Sequence, residues 1–187
     1  MTELTPFLKE KFSHLFHRFY DNDHNGVVNE ADFLDLVKHL QKLRGWKEGD
    51  SRLTDCEKSL KGAWNSLKTG ADVDDDQSVT MVEWLRYWKK FVDMSKKAGG
   101  WPPEAPWVKE HMNFWFDFMD TSGDGILDED EFAALFSHLG LTEEEARQAF
   151  QKFSQVPIDR SKFGELWLQF MTQDDRDAPG NYVFGLI

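Results

Sequence analysis

Three stretches of this chain place oxygen-bearing side chains at one fixed spacing, and that register limits the fold more than any other feature. "DTSGDGILDEDE" holds Asp120, Ser122 and Asp124 at positions 1, 3 and 5, then Gly125 at 6, Ile126 at 7, Asp128 at 9 and Glu131 at 12. "DNDHNGVVNEAD" repeats the pattern with Asp21, Asp23 and Asn25, then Gly26, Val27, Asn29 and Asp32. "DVDDDQSVTMVE" gives Asp72, Asp74 and Asp76, then Gln77, Ser78, Thr80 and Glu83. A solvated acidic turn explains the charge but not the register. Ca²⁺ takes roughly six to eight oxygens from a loop spaced this way: side chains at 1, 3 and 5, the backbone carbonyl at 7, a ligand or held water at 9 and a two-oxygen acid at 12. Position 6 wants glycine for the sharp turn.

Two departures matter. The first loop closes with Asp32, one methylene shorter than Glu, which suits the smaller octahedral shell of Mg²⁺. The second has Gln77 where the turn favours positive φ, at a cost on the order of 1 kcal/mol; its four carboxylates offset that once an ion is present. A fourth repeat, "QKFSQVPIDRSK", keeps the inward apolar residue but puts Gln151, Phe153, Gln155 and Lys162 at positions 1, 3, 5 and 12. A lysine in place of the closing acid binds no cation.

Each loop sits between helical patterns, so the chain reads as helix–loop–helix hands of the EF-hand type. The expected fold is all-α, two pairs of hands packed into one compact unit, with short loop–loop β contacts in which Val28 faces Val79 and Leu127 faces Ile158. Thr5-Pro6 opens a helix through Tyr20 with Phe7, Leu8, Phe12, Leu15, Phe16 and Phe19 on one side. The next runs from about Glu30 to Arg44, and "GDSRLTD" starts a third that ends before Gly70. Thr80 with Glu83, and Thr142 with Glu145, form capping boxes. "AGGWPPEAPW" is the clearest break in the chain. The divisions expected are an N-terminal pair at 1–98, a linker at 99–106, a C-terminal pair at 107–172 and a tail at 173–187. In that tail Tyr182, Val183, Phe184, Leu186 and Ile187 are apolar enough to pack back on the core. The aromatic stripes Trp84, Trp88, Phe91 and Phe114, Trp115, Phe118 read as core.

Composition removes several function classes. The formal charge of −12 argues against nucleic acid and against an anionic membrane surface, and fits a chain that attracts cations. No stretch is long and apolar enough for stable membrane insertion, and the N-terminus shows no secretory pattern. The single cysteine, Cys56, allows no internal disulfide. There is no G-x-x-x-x-G-K-[ST] phosphate loop and no H-E-x-x-H, so no catalytic or nucleotide-binding residue is assigned.

In three filled hands followed by a degenerate fourth, with Asp closing the first loop and a non-glycine at position 6 of the second, the chain resembles the invertebrate sarcoplasmic calcium-binding proteins. It is most similar to the calexcitin branch, through "FYDNDHNG", "VTMVEWLRYW", "HMNFWFDFMDTSGDGI" and "GNYVFG". The resemblance implies a compact helical fold, Ca²⁺ at the first three hands with Mg²⁺ also accommodated, and a cytosolic buffering role. For calexcitin it implies a neuronal signalling role on channels. The relative juvenile hormone diol kinase is assigned an activity that the missing phosphate loop does not support here.

The expectation is therefore a cytoplasmic, monomeric, non-enzymatic protein with three Ca²⁺ sites. Their ligands are Asp21, Asp23, Asn25, Val27 and Asp32; Asp72, Asp74, Asp76, Ser78 and Glu83; and Asp120, Ser122, Asp124, Ile126 and Glu131. Mg²⁺ is best tolerated at the first site. A buffer is favoured over a sensor with a protein target, because a sensor groove is rich in methionine and this chain has 6 Met against 16 Phe and 8 Trp.

Overall fold

A computed structural model describes residues 3–185; Leu186 and Ile187 of the apolar tail lie outside it. Its helices are α1 (Pro6–Leu15), α2 (Glu30–Arg44), α3 (Ser51–Ala71), α4 (Met81–Ala98), α5 (Pro106–Met119), α6 (Glu129–His138), α7 (Glu143–Phe153) and α8 (Arg160–Thr172). A π-turn (Phe16–Tyr20) extends α1, and a 3-10 turn (Pro179–Tyr182) follows α8. Four two-residue strands complete it: β1 (Val27–Val28), β2 (Val79–Thr80), β3 (Ile126–Leu127) and β4 (Ile158–Asp159). β1 pairs antiparallel with β2 and β3 with β4, bringing Val28 opposite Val79 and Leu127 opposite Ile158, as the loop register requires. The fold is thus the expected all-α EF-hand arrangement, with hands joined through their loops.

The caps explain where the helices begin. Thr5 accepts the Leu8 amide at its hydroxyl and the Lys9 amide at its carbonyl. Asn29 with Asp32, and Thr142 with Glu145, close full capping boxes. Thr80 does the same with Glu83, whose Oε2 takes the Thr80 amide at 3.0 Å and its hydroxyl at 2.7 Å.

Two expectations give way to tertiary packing. Gly70 does not end α3; it lies inside the helix, and glycine is needed there for room, since a Cβ would sit 2.5 Å from the Tyr87 ring. The helix from Thr5 does reach Tyr20, but its last turn is π-type, with the Asp21 amide donating to the Phe16 carbonyl at 2.8 Å. Such a turn holds one extra residue. It moves the buried face on by one position, so Tyr20 is buried and Phe19 only half-buried.

Contacts divide the chain into two compact units, and the division falls inside α1 and inside α4. The unit Phe12–Phe91 holds the first two loops. Its centre is aromatic: Trp84 lies 4.9 Å from Tyr20, 5.7 Å from Phe16 and 5.4 Å from Trp88 by ring centroids, and its Nε1 donates to the Phe12 carbonyl at 2.8 Å. That bond satisfies the one polar group of a fully buried ring. Cys56 is buried there too, and burial first, then Glu57, pushes its thiol up to about 12, so it is an inert core side chain.

The other unit comprises the segments up to Lys11 and from Val92 on, and holds the third and fourth loops. Phe132 stacks on Phe136 at 4.3 Å, with Phe150 and Phe153 around them. The stripe on α5 is only partly core: Phe118 is buried, Phe114 and Trp115 are half-buried, and Phe116 takes the fully buried position. Tail residues pack in this unit, with Phe184 at 4.5 Å from Trp167 and 4.7 Å from Phe170. Gly180 is required there, since a Cβ would meet the Leu166 carbonyl at 2.5 Å. Lys11, itself fully buried, donates to the Gln173 carbonyl at 2.7 Å and to Asn181 Oδ1 at 3.2 Å, and lies over the Phe7 and Phe170 rings.

Candidate metal centres

Each loop begins as a helix runs out of backbone partners. Asp21 follows the π-turn of α1, Asp72 ends α3 and Asp120 ends α5, and in each case the position-1 carboxylate turns back to accept amides from its own loop. Asp21 takes the Asn25 and Gly26 amides at 3.0 and 3.1 Å. Asp72 takes those of Asp76 and Gln77 at 3.3 and 3.1 Å. Asp120 takes those of Gly123 and Gly125 at 2.8 and 2.9 Å. The side chain at position 5 then accepts the amide at 7: Asn25 from Val27, Asp76 from Ser78, and Asp124 from Ile126. These bonds fix the side chains at positions 1 and 5 against the loop's own backbone.

The turn needs positive φ twice. Position 4 takes it at His24, Asp75 and Gly123 (φ 56°, 58° and 73°), and position 6 at Gly26, Gln77 and Gly125 (φ 88°, 68° and 80°). Gln77 therefore occupies the left-handed region as the register demands. Its side chain is held by Lys68 Nζ at 2.5 Å and donates to Asp75 Oδ1 at 2.9 Å.

The closing acids reach across the loop from the following helix. Asp32 accepts the Asn22 amide with one oxygen (3.0 Å) and the Asn29 amide with the other (2.9 Å). Glu83 does the same with the Val73 and Thr80 amides at 2.9 and 3.0 Å. Glu131 differs: one oxygen accepts the Thr121 and Ser122 amides at 2.8 and 3.0 Å.

Burial pushes the Asp32 carboxyl up, against the lowering effect of the Asn29 and Asn22 amides. Glu83 is pushed up by burial as well, but the Val73 and Thr80 hydrogen bonds and Arg86 outweigh this and hold it below the usual range.

The first loop brings one oxygen each of Asp21, Asp23 and Asp32 within 4.8 Å of one another, and the second does so for Asp72, Asp74 and Asp76. Among the described residues these are the acidic groups of three that converge so closely. The third loop has serine at position 3, and Ser122 Oγ donates to Asp120 at 3.2 Å. Asp21 and Asp32 are 1 % and 3 % exposed. Two buried carboxylates aimed at one point are costly unless a cation joins them.

In the fourth loop Phe153 is buried at position 3, and Lys162 at position 12 turns to Glu165 at 3.2 Å. What the spacing gave no sign of is where Gln151, at position 1, goes: it donates to Glu129 of α6. Arg147, one helical turn earlier and outside the loop register, reaches the same carboxylate.

The EF-hand domain pair family matches residues 3–40. The sarcoplasmic calcium-binding proteins II, V, VI and VII of Branchiostoma lanceolatum are 28 % identical over 97 % of this chain and 98 % of theirs. Calexcitin-1 of Caenorhabditis elegans is 29 % identical over the whole of this chain and 90 % of its own. The solved structure of a sarcoplasmic calcium-binding protein from amphioxus superposes with a TM-score of 0.77 at 26 % identity, covering 98 % of this chain and all of that one.

By fold and by loop geometry this is an EF-hand protein. Within that class it is similar, along nearly its whole length, to the sarcoplasmic calcium-binding proteins and calexcitin.

Proposed function

We propose that the protein is an intracellular Ca²⁺ buffer with three sites, formed by Asp21, Asp23, Asn25, Val27 and Asp32; by Asp72, Asp74, Asp76, Ser78 and Glu83; and by Asp120, Ser122, Asp124, Ile126 and Glu131. The observation that supports this reading is the convergence to within 4.8 Å of Asp21, Asp23 and Asp32 in the first loop and of Asp72, Asp74 and Asp76 in the second, on backbones already in the turn an ion requires. Mg²⁺ competes best at the first site, whose shorter Asp32 suits an octahedral shell. The organisation is a pair of hands at 1–98, a linker at 99–106, a pair at 107–172 with its fourth hand ion-free, and a tail at 173–187. The protein acts as a cytoplasmic monomer without enzymatic activity; the relatives it matches bear calcium-binding names, and no helix among the described residues is long and apolar enough to cross a membrane.

Similarity to calexcitin-1 supports a second reading, a sensor that opens apolar surface towards a target. Fluorescence of a hydrophobic-surface probe, titrated with Ca²⁺ in physiological Mg²⁺, separates the two. A buffer gives a flat or falling signal while Ca²⁺ binds; a rise reversed by chelator overturns the buffer in favour of the sensor.

A further inference from the structure

The ion-free fourth hand leaves the third loop without an ion-filled partner. The structure offers something else in its place. Glu129, at position 10 of the third loop, is met by two side chains of α7: Arg147 Nη1 at 3.3 Å and Gln151 Nε2 at 3.2 Å. Arg147 also reaches Asp130 Oδ1 at 2.7 Å and Glu143 at 2.8 Å, so its fork spans the start of α6 and the start of α7. Arg160, at the same position 10 of the fourth loop, returns the contact: it pairs with Asp117 on α5, donates to the Asn113 carbonyl at 3.3 Å and lies 4.6 Å over the Phe116 ring. Each hand of this pair thus makes ionic contact with the helix that enters the other, the third through Glu129 and Asp130 and the fourth through Arg160. In the other unit, Glu30 at position 10 of the first loop is approached by Lys61 Nζ at 3.9 Å.

We propose that these crossed pairs, and Arg147 above all, do for the third site what a second ion does in a fully filled pair: they hold α6 against α7, so that Glu131 is presented to the third loop at the right height. Arg147 is a positioning residue for Ca²⁺. The inference rests on the reading of the third loop as a Ca²⁺ site. The geometry fits a fork, not a point charge, because one guanidinium serves three carboxylates in different directions. It also sets the sign of the effect. As a bare positive charge near a cation site Arg147 lowers affinity, and its removal raises it. As a brace it slows Ca²⁺ release, and its loss speeds it.

The test is stopped-flow Ca²⁺ release into a fluorescent chelator, on the full chain, with R147K, R147Q and E131Q. The phase missing in E131Q is the third site. R147K keeps the charge and loses the fork; a brace makes that phase about two- to fivefold faster in both R147K and R147Q, a range set by the modest worth of partly exposed pairs. The phases of the other two sites stay unchanged. A third-site phase unchanged in R147K, or slower in R147Q, overturns the brace while leaving the site in place. If E131Q loses no phase, the register of the third loop is wrong and the brace falls with it.

Discussion

Gln77 and Lys11 are each held in an environment that their own chemistry resists. Gln77 sits at φ 68°, where a side chain costs about 1–2 kcal/mol, and glycine in its place adds back less than that in chain entropy. Q77G is expected to raise the unfolding free energy, measured by denaturant titration, by up to about 1 kcal/mol, whereas Q77A, which keeps the strain and loses the bonds to Lys68 and Asp75, lowers it. Equal shifts in both variants would mean that the backbone carries no strain. Lys11 is fully buried, and that burial, opposed by Asp174, brings its amine down to about 8 from 10.5. Between those values the unfolded chain binds more protons at this position than the folded one, so stability rises with pH across the window. In K11M that rise is expected to flatten, measured by denaturant unfolding at pH 7.5, 9 and 10; a parallel rise in variant and parent would assign it to other groups.

At the scale of the element, glycine has opposite meanings at two helix positions. Gly45 ends α2 at φ 64°, as a C-terminal glycine does. Gly70 lies within α3, and its missing Cβ makes room for Tyr87, 7 % exposed, whose ring fills that space. Exposed Gly→Ala in a helix gains about 0.5–1 kcal/mol. G70A is expected to lose about 1–3 kcal/mol through the forced displacement of a packed ring. In G70A/Y87L the losses should be clearly less than additive, since the two changes share one cause. Full additivity in a thermal or urea denaturation cycle would place the cost elsewhere. The helices themselves were legible from 3.6-residue spacing and caps: α2 runs over the residues expected, and both capping boxes form. The π-turn after α1 was not, because nothing in the local sequence says that one extra residue is accommodated before Asp21.

For the whole molecule the governing quantity is charge. At −12 the chain repels itself, and carboxylates gathered in loops concentrate that repulsion. Ions that bind only the folded state stabilise it, by about 2.7 kcal/mol per site at a hundred times Kd. The melting temperature is expected to rise on Ca²⁺ addition, and the rise to shrink in 1 M KCl, where charges are screened within ~3 Å. Scanning calorimetry at low and high salt checks this, and an undiminished rise would show that relief of self-repulsion contributes little.

The sequence by itself determined the loops, their turn geometry, the pairing of Val28 with Val79 and of Leu127 with Ile158, and the loss of ligands in the fourth hand. The loops, their turns and the lost ligands follow from residues within a dozen positions of one another, so spacing along the chain is spacing in space; the two pairings join distant residues and follow because each loop repeats the same register with its apolar residue at position 8. Tertiary structure alone decided how close the carboxylates converge, that Phe116 is more deeply buried than Phe114 and Trp115, that Arg147 and Gln151 turn to Glu129, and that Lys11 holds Asn181 from 170 residues away. These depend on which distant groups arrive at the same place, and a buried amine or a forked cation takes the partners that packing brings.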